Sequence, residues 1–161
     1  IKLREAGFGE VVVYEKADRL GGTWRENRYP GIACDVPSHF YSYSFAPNPD
    51  WSHRFSPGAE IQAYFEEVAR RHGLDPVIRY RTEITRCERR DGRWEITAAD
   101  GSTDAGDVVV AATGVLHHPA YPDIEGRETF AGASFPSARW NHDVALAGQR
   151  IGIIGTGSSA I

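Results

Sequence analysis

Apolar residues occur in short continuous runs along the chain, and each run predicts a buried element. Residues 10–15 (EVVVYE) form an apolar run that ends in an acid, which is typical of a strand buried on both faces of a parallel sheet. Residues 107–114 (DVVVAATG) and 150–154 (RIGII) repeat this pattern, and a glycine ends or follows each of them. The opening residues IKLREAG predict the last turns of a helix that stops at Gly7.

The middle of the chain predicts one long helix followed by strands. Ser56 and Pro57 are the residue types of a helix cap and a first-turn proline, and the apolar face that follows predicts a helix over 58–72. The apolar period then shortens to that of strands, and Asp91-Gly92 predicts a hairpin turn among them, which favours a β-meander. Strands are predicted at 77–80, 83–88 and 93–98.

Composition restricts the class of protein without identifying it. The 161 residues, of which 41% are hydrophobic, suffice for one domain with a core. A net charge of -4 without a Lys/Arg block argues against nucleic acid as a partner, and no apolar run is long enough for a membrane partner. Two cysteines make no disulfide framework, so we expect a cytoplasmic protein. The absence of methionine and the helices cut at both ends indicate a fragment.

The residues after the last apolar run have the spacing of a nucleotide-binding turn. Residues 155–160 (GTGSSA) read G-x-G-x-x-A after a predicted strand, which is the setting of a pyrophosphate site at a helix N-terminus. Gly155 allows the tight turn, Gly157 the close approach of the pyrophosphate, and Ala160 the packing of helix on strand. An ordinary turn between a strand and a helix is the alternative.

Glu15 occupies a second position where a nucleotide contact is expected. In dinucleotide folds an acid at the end of a buried strand hydrogen-bonds a ribose, about 20 residues after the glycine turn. Counting back from Glu15 places such a turn just before residue 1. A solvated acid at a strand end is the alternative, but Gly21-Gly22 can approach a ligand closely and favours the nucleotide interpretation.

An irregular segment rich in aromatic residues, proline and glycine follows at residues 21–45. Its first part, GGTWRENRYPGIACD, resembles the long fingerprint of the FAD- and NADPH-dependent Baeyer–Villiger monooxygenases. The resemblance extends over essentially the whole chain, but only over an N-terminal portion of such an enzyme. The matching fixed positions are Gly21, Gly22, Trp24, Tyr29, Pro30, Gly31 and Asp35.

The resemblance implies both a fold and an activity. The fold would be α/β: an incomplete, doubly wound Rossmann-like FAD-binding unit with a β-meander, followed by the start of a second Rossmann-like unit that binds NADP. Its parts would be the FAD-binding domain at 1–116, a linker at 117–148 and the NADP unit at 149–161. The parent enzyme would use NADPH and O2 to insert oxygen next to the carbonyl of a small-molecule ketone, giving an ester or lactone. The fragment alone would be inactive and would bind FAD poorly.

The resemblance also implies a role for individual residues. Asp35 would be the catalytic residue, in contact with FAD, beside the nicotinamide, where it would orient an arginine that lies outside the chain. Glu15 would hold the FAD ribose, Tyr41 would hydrogen-bond near the flavin, and Ile84 would contact the adenine through its backbone. The other FAD contacts would be Gly22, Thr23, Trp24, Arg25 and Glu26. The other NADP contacts would be Ala33, Cys34, Gly155, Thr156, Gly157, Ser158, Ser159, Ala160 and Ile161.

The chain departs from the family in a second, shorter fingerprint, F-x-G-x-x-x-H-x-x-x-W. Phe130, Gly132 and Trp140 match it, but Pro136 stands at the histidine position, and Asn141 stands where the family has Pro or Asp after the tryptophan. Proline has neither an N–H nor a titratable ring, so we expect an intact linker with impaired or differently gated turnover. Two alternatives stay open. One is a flavin monooxygenase that oxygenates nitrogen or sulfur, against which the long fingerprint ending in Asp35 argues, and the other is a non-catalytic flavin- or nucleotide-binding protein, which Pro136 makes plausible.

The remaining cysteines, histidines and aromatic residues predict packing and no metal site. Cys34 is expected to be a small buried residue, with a reactive thiol as the alternative, and Cys87 is expected in the core. His117 and His118 are adjacent and are expected to point apart. Tyr41 excepted, the aromatic residues of the irregular segment are expected to pack in a core beneath a loop; they are Phe40, Tyr43, Phe45, Trp51 and Phe55.

Overall fold

The structure, a computed structural model, describes residues 1–160 and forms two compact units. The first unit consists of Ile1–Leu20 and Phe65–Thr113, and the second of Gly21–Tyr64 and residues 114–160. The elements are α1 (Lys2–Glu5), β1 (Val13–Tyr14), α2 (Thr23–Glu26), α3 (Gly58–Arg71), β2 (Ile78–Arg79), β3 (Ile84–Arg90), β4 (Arg93–Ala98) and β5 (Thr103–Gly106). Helices and strands both occur in the described residues, with three helices and one short strand in the first half of the chain and a run of four strands after α3.

The β-meander of the first unit confirms the predicted hairpin. Strands β3, β4 and β5 pair antiparallel in that order, and Ile96 lies opposite Cys87. Asp91 and Gly92 both have positive φ, 48° and 85°, as a two-residue hairpin loop requires. Strand β5 was missed by the sequence analysis, although a second Asp-Gly pair at 100–101 signals the turn that precedes it.

The parallel pair of the first unit is shorter and more exposed than predicted. Val13 pairs with Ile78, and the amide of Glu15 continues the ladder with a 3.0 Å hydrogen bond to the Arg79 carbonyl. Val12 and Val13 are exposed, so the prediction that residues 10–15 form a doubly buried strand is wrong. Burial of a parallel strand needs neighbours on both edges and both faces. Among residues 1–160, β1 is paired only with β2.

The other two apolar runs do not form the predicted strands. Residues 107–114 and 150–154 have no strand conformation, and Val110 and Ile154 are 72% and 75% exposed. An extended apolar segment becomes a strand only when another strand accepts its backbone hydrogen bonds. Within the part of the chain that the structure describes, no strand pairs with either run.

A polar cluster joins the two sheets of the first unit. The Tyr14 hydroxyl donates to the Asp104 carboxylate, and Arg79 forms a 2.9 Å ion pair with the same group. The hydrogen bond from Tyr14 is the main cause that lowers the pKa of Asp104, with help from the Ala105 amide and Arg79. Burial is the main cause that raises the pKa of Tyr14, and its bond to Asp104 adds to it.

Helices α1 and α3 lie where the sequence predicts them. Gly7, with a φ of 89°, ends α1, and the Phe8 amide reaches back to the Leu3 carbonyl over 3.1 Å. Helix α3 begins at Gly58, directly after Pro57. No helix within residues 1–160 combines the length and the apolar character that a membrane crossing demands.

The core of the second unit is built on the first turns of α3. Ile61 is fully buried, and the Tyr64 ring packs at 5.2 Å from that of Trp51. The Tyr64 hydroxyl accepts from the Tyr43 amide and donates to the Ala46 carbonyl, both over 2.8 Å. These bonds hold the aromatic segment against the helix.

Not all of the aromatic segment packs as predicted. Trp51 is buried, as expected, and Phe45 is partly buried and stacks on Tyr43 at 5.1 Å. Phe40 is 83% exposed, and Tyr43 and Phe55 are also exposed, so their assignment to the core is wrong. The segment contains turns and short bridges, and such irregular backbone does not turn every ring to one side.

The predictions for the two cysteines and the adjacent histidines were right in one case and wrong in the others. Cys34 is buried at 3% exposure, as predicted. Cys87 is exposed because it lies on the solvent face of β3, which corrects its assignment to the core. The rings of His117 and His118 lie 4.0 Å apart instead of pointing apart, since the chain turns at this position and is not extended.

Candidate cofactor-binding site

Two glycines create the tight entry into α2. Gly21 and Gly22 have φ values of 128° and 48°, which side chains rarely tolerate. A Cβ atom at Gly21 would lie 2.9 Å from the Cβ atom of Arg25. The glycines therefore let the chain turn directly into the segment Thr23–Glu26, which carries four of the predicted FAD contacts.

Trp24 and Tyr41 form a pair inside the second unit. The indole N–H of Trp24 donates to the Tyr41 hydroxyl over 3.1 Å, and the rings meet edge to face with centroids 5.5 Å apart. Both side chains are half-buried. A Cβ atom at Gly58 would lie 3.2 Å from the Trp24 ring, so that glycine allows the ring to pack against the start of α3. The two predicted flavin contacts thus form one rigid aromatic surface.

Arg25 and Glu26 are tied to each other. The Arg25 guanidinium is buried at 7% exposure and donates twice to the Glu26 carboxylate, at 2.9 and 3.0 Å. Arg139 adds a longer ion pair to Glu26 at 3.9 Å. A buried charge needs such a partner, so Arg25 supports the backbone of α2 and its head group is already engaged.

Asp35 and the glycine turn near the end of the chain meet, although 123 residues separate them. The Ser158 hydroxyl donates to the Asp35 carboxylate over 3.1 Å, and the hydroxyls of Tyr29 and Ser159 are 2.8 Å apart. Asp35 is exposed while the preceding Cys34 is buried, so the backbone anchors one residue and presents the next. The long fingerprint and the predicted pyrophosphate turn are therefore neighbours within one unit.

The glycine turn has part of the predicted geometry. Gly155 has a φ of 141°, and a Cβ atom there would lie 3.7 Å from the Cβ atom of Ala160. Ser158–Ala160 form a single 3₁₀ turn, in which the Ala160 amide donates to the Gly157 carbonyl over 2.8 Å. Gly157 has open space where a side chain would stand. The predicted contact at Ile161 lies outside the described residues.

Two predicted contacts belong to the first unit. Glu15 follows β1, and its carboxylate accepts a 2.8 Å hydrogen bond from the Ala17 amide. Ile84 is the first residue of β3 and pairs with Ala98. Ile84 has the strand context that the sequence predicted, whereas Glu15 follows a strand that is exposed and not doubly buried.

Trp140 of the short fingerprint packs against other aromatic rings close to Pro136 in the chain, while Phe130 is 65% exposed. Phe135 and Trp140 meet edge to face at 5.2 Å, and Tyr29 lies 6.4 Å from Trp140. Pro136 precedes the 3₁₀ turn Ser137–Arg139 with φ and ψ of -77° and 156°. Proline adopts this conformation without strain. The backbone at this position therefore accommodates proline in place of the histidine and continues into a 3₁₀ turn.

Sequence reasoning missed the polar residues that hold the site from inside. Asn27 is buried, and its side-chain amide donates to the carbonyls of Thr23 and Leu116, both over 2.9 Å. Ser38 is buried to 1% and hydrogen-bonds Ser56. Of these buried polar residues, only Ser56 was singled out by the sequence, as the predicted cap of the long helix. Within residues 1–160, no cluster of three or more histidine, cysteine and acidic side chains could hold a metal ion.

The chain is similar to known monooxygenases in sequence and in structure. The chain is 53% identical over 163 residues to a Baeyer-Villiger monooxygenase of Streptomyces coelicolor, covering 100% of this chain and 31% of the relative. It is 40% identical over 163 residues to an FAD-binding monooxygenase of Aspergillus terreus, covering 98% of this chain and 29% of the relative. Among solved structures, cyclohexanone monooxygenase from Rhodococcus sp. Phi1 bound to NADP+ superposes with a TM-score of 0.78 at 37% identity, covering 93% of this chain and 29% of that one.

These similarities identify first the fold class of the chain and then its family. The fold is α/β and Rossmann-like, as the sequence predicted. The chain belongs to the pyridine nucleotide-disulphide oxidoreductase family, whose model matches residues 1–161. The predicted resemblance to the Baeyer–Villiger monooxygenases is confirmed, and the chain spans about a third of the length of these relatives.

Proposed function

We propose that this chain forms cofactor-binding surfaces of a flavin-dependent monooxygenase that uses NADPH and O2. The enzyme inserts oxygen next to a ketone carbonyl and produces an ester or lactone. The observation that supports this most is the hydrogen bond between Ser158 and Asp35, because it joins the predicted NADP turn to the last residue of the long fingerprint. The names of the relatives support the same reaction class.

The residues of α2 and Tyr41 fit a flavin. A flavin needs flat apolar walls with few polar handles, and the Trp24–Tyr41 pair supplies both. Gly22 has open space where a side chain would stand, so the backbone that enters α2 can be approached closely at this position. We assign the FAD ribose to Glu15 and an adenine contact to Ile84. Bound FAD would carry the electrons from NADPH to oxygen.

The glycine turn fits the pyrophosphate of NADP. Gly157 leaves open space over the backbone, and the hydroxyls of Ser158 and Ser159 lie at the same turn. We assign NADP contacts to this turn and to Ala33 and Cys34. The Asp35 carboxylate accepts hydrogen bonds and has none to donate, so it would orient a donor near the reacting centre instead of stabilising an anion itself.

The chemical test uses an enzyme of full family length that contains this chain. With cyclohexanone, NADPH and O2, we expect lactone to form together with NADPH oxidation, measured by gas chromatography and absorbance at the nicotinamide band. Asp35→Asn removes the charge and is expected to lower kcat roughly 10- to 100-fold. Asp50→Asn, an exposed loop acid, is the matched control with unchanged kcat. N-oxide or S-oxide formation from amines and thioethers without lactone would refute the ketone assignment.

We also propose a division of the chain and a location for the enzyme. Residues 1–116 are assigned to the FAD-binding domain, 117–148 to the linker and 149–161 to the NADP unit. A cytoplasmic location is supported by the two cysteines, which are both free. Limited proteolysis, with cuts expected first within 117–148, tests the boundaries.

A further inference from the structure

Ser38 and Ser56 form a buried hydroxyl pair next to the segment that presents Asp35. Both residues are only 1% exposed. The Ser56 hydroxyl donates to the Ser38 hydroxyl over 2.7 Å, and the Ser56 amide donates to the same oxygen over 2.9 Å. The Ser38 hydroxyl hydrogen points toward the carbonyls of His53 and Arg54, at 2.8 and 2.9 Å. The donor and both lone pairs of Ser38 are thus used.

Backbone bonds extend this pair into a clamp, defined here as segments 34–38 and 53–56. The Cys34 amide donates to the Ser56 carbonyl over 2.9 Å, and the Ser38 amide donates to the Arg54 carbonyl over 2.7 Å. The residues between these anchors are Asp35, Val36 and Pro37, of which the first two are exposed. Asp35 therefore stands on a short loop that is fixed at both ends.

The clamp is continuous with the start of α3. The Gly58 amide donates to the Ile32 carbonyl over 3.1 Å, and Ile61, one turn further on, is fully buried. The loop that carries Asp35 is thereby attached to a packed helix. A catalytic group held on a rigid element loses little freedom when substrate binds.

We propose that Ser38 is the positioning residue for Asp35 and acts through its hydrogen bonds to Ser56 and to the 53–54 carbonyls. The inference rests on the proposed function, because it assumes that Asp35 serves the reaction. Removing the Ser38 hydroxyl leaves the buried Ser56 amide without an acceptor and the Arg54 carbonyl without a side-chain donor. It also leaves the His53 carbonyl with only the longer 3.5 Å bond from the Ser56 hydroxyl, so one anchor of the loop is released. Removing the Ser56 hydroxyl alone leaves the amide bond to Ser38 intact and releases the anchor less.

The experiment compares Ser38→Ala, Ser56→Ala, the double variant and Ser44→Ala in the full-length enzyme. Ser44 is an exposed serine of the same segment and serves as the control. Hydrogen exchange at the amides of Cys34 and Ser38 reports the clamp, and kcat for ketone oxygenation reports the position of Asp35. Neither amide donates to the Ser38 side chain, so faster exchange there shows that the whole clamp loosens.

For Ser38→Ala we expect at least fivefold faster exchange at Cys34 and Ser38, and a kcat about 10- to 100-fold lower with little change in the ketone KM. Ser56→Ala shifts both in the same direction by less, and the double variant resembles Ser38→Ala because the short hydrogen bond of the Ser56 hydroxyl within the clamp is the one to the Ser38 oxygen. Ser44→Ala matches wild type. If Ser38→Ala fails to fold, Ser56→Ala decides: faster exchange at both amides together with a lower kcat supports the proposal, and unchanged exchange or an unchanged kcat overturns it.

Unchanged exchange at Cys34 and Ser38 would overturn the proposal, and so would faster exchange with wild-type kcat. Failure of the proposed function gives a different result: the wild-type enzyme would form no lactone. The exchange rates would then still decide whether Ser38 holds the loop. If Ser38→Ala loosens the clamp but the wild-type enzyme forms no lactone, the proposed reaction is wrong and the role of Ser38 in holding the loop stands.

Discussion

Trp24 and Tyr41 are the residues on which the proposed flavin contact depends. Trp24→Phe keeps a ring but removes the indole N–H that donates to Tyr41 over 3.1 Å. We expect a loss of about 1 kcal/mol in the free energy of unfolding, since the Tyr41 hydroxyl loses a donor, and a several-fold weaker flavin affinity. Release of flavin fluorescence on dilution measures the affinity.

The double variant Trp24→Phe/Tyr41→Phe separates the hydrogen bond from the rings. If the bond carries the effect, the two single losses will not add. Phe40→Leu, at a ring that is 83% exposed, is the control and leaves affinity unchanged. Additive losses would show that the rings act independently.

Burial of single residues depends on which partners the fold brings to them, and the sequence predicted it at some positions and not at others. Cys34 is buried as expected because the segments on both sides of it are bonded to 53–57. Cys87 is exposed because successive residues of a strand face opposite sides, and nothing in the sequence says which face of β3 meets the core. The burial of Ser38 could not be predicted from adjacent residues, since its hydrogen-bond partner Ser56 lies 18 residues away.

The β3–β4 hairpin is held by a turn that demands positive φ. Gly92→Ala places a side chain at a φ of 85° and is expected to lower the free energy of unfolding by about 1–2 kcal/mol. Gly9→Ala is the control, since Gly9 lacks a positive φ and has open space around its Cβ position. Urea titration followed by fluorescence measures both. Equal losses in the two variants would mean that the turn conformation is not responsible.

Helix α3 carries an acid whose pKa is far below its usual value. Glu67 accepts hydrogen bonds from Arg70 and Arg71 at 2.6–2.8 Å, and these lower its pKa from 4.5 to about 2. A pKa lowered by folding stabilises the protein above the unfolded value, and this stabilisation is lost as the pH falls from about 4.5 through about 2. Carboxyl NMR titration of Glu67 measures the value.

Added salt and substitution of Glu67 test whether ion pairing causes the lowered pKa of this residue. All three side chains are solvent-accessible, so high salt is expected to bring the Glu67 pKa back toward 4.5. Glu67→Gln removes the corresponding part of the acid dependence of the melting temperature, while Glu10→Gln, an exposed acid outside the helix, does not. A Glu67 pKa that is insensitive to salt would contradict ion pairing as its cause.

Elements with local signals formed as predicted, and those that need distant partners did not. The hairpin and α3 depend on turn residues, caps and an apolar face that adjacent residues supply. The apolar runs at 107–114 and 150–154 have the composition of buried strands but need strands to pair with, and the described residues provide none. Their apolar composition therefore marks these runs as potential strands, but their conformation depends on pairing partners.

At the scale of the molecule, the candidate site depends on a contact that no local pattern predicts. Ser158 and Asp35 belong to two separate motifs, and the sequence indicated a nucleotide role for each without indicating that they touch. The long fingerprint carried most of the functional information, because its seven fixed positions are specific. Pro136 is the one position where fingerprint and chain disagree in a way that bears on turnover.

Pro136→His restores the fingerprint residue and tests that disagreement. The φ and ψ of Pro136, -77° and 156°, are available to any residue, so the variant is expected to fold with an unchanged melting temperature. Imidazole adds a hydrogen-bonding ring beside the Phe135–Trp140 pair. We expect a kcat several-fold higher, or a larger share of NADPH oxidation that yields lactone. Pro136→Ala removes the rigid ring without adding imidazole, so equal gains in both variants would assign the effect to backbone freedom and refute a role for the histidine.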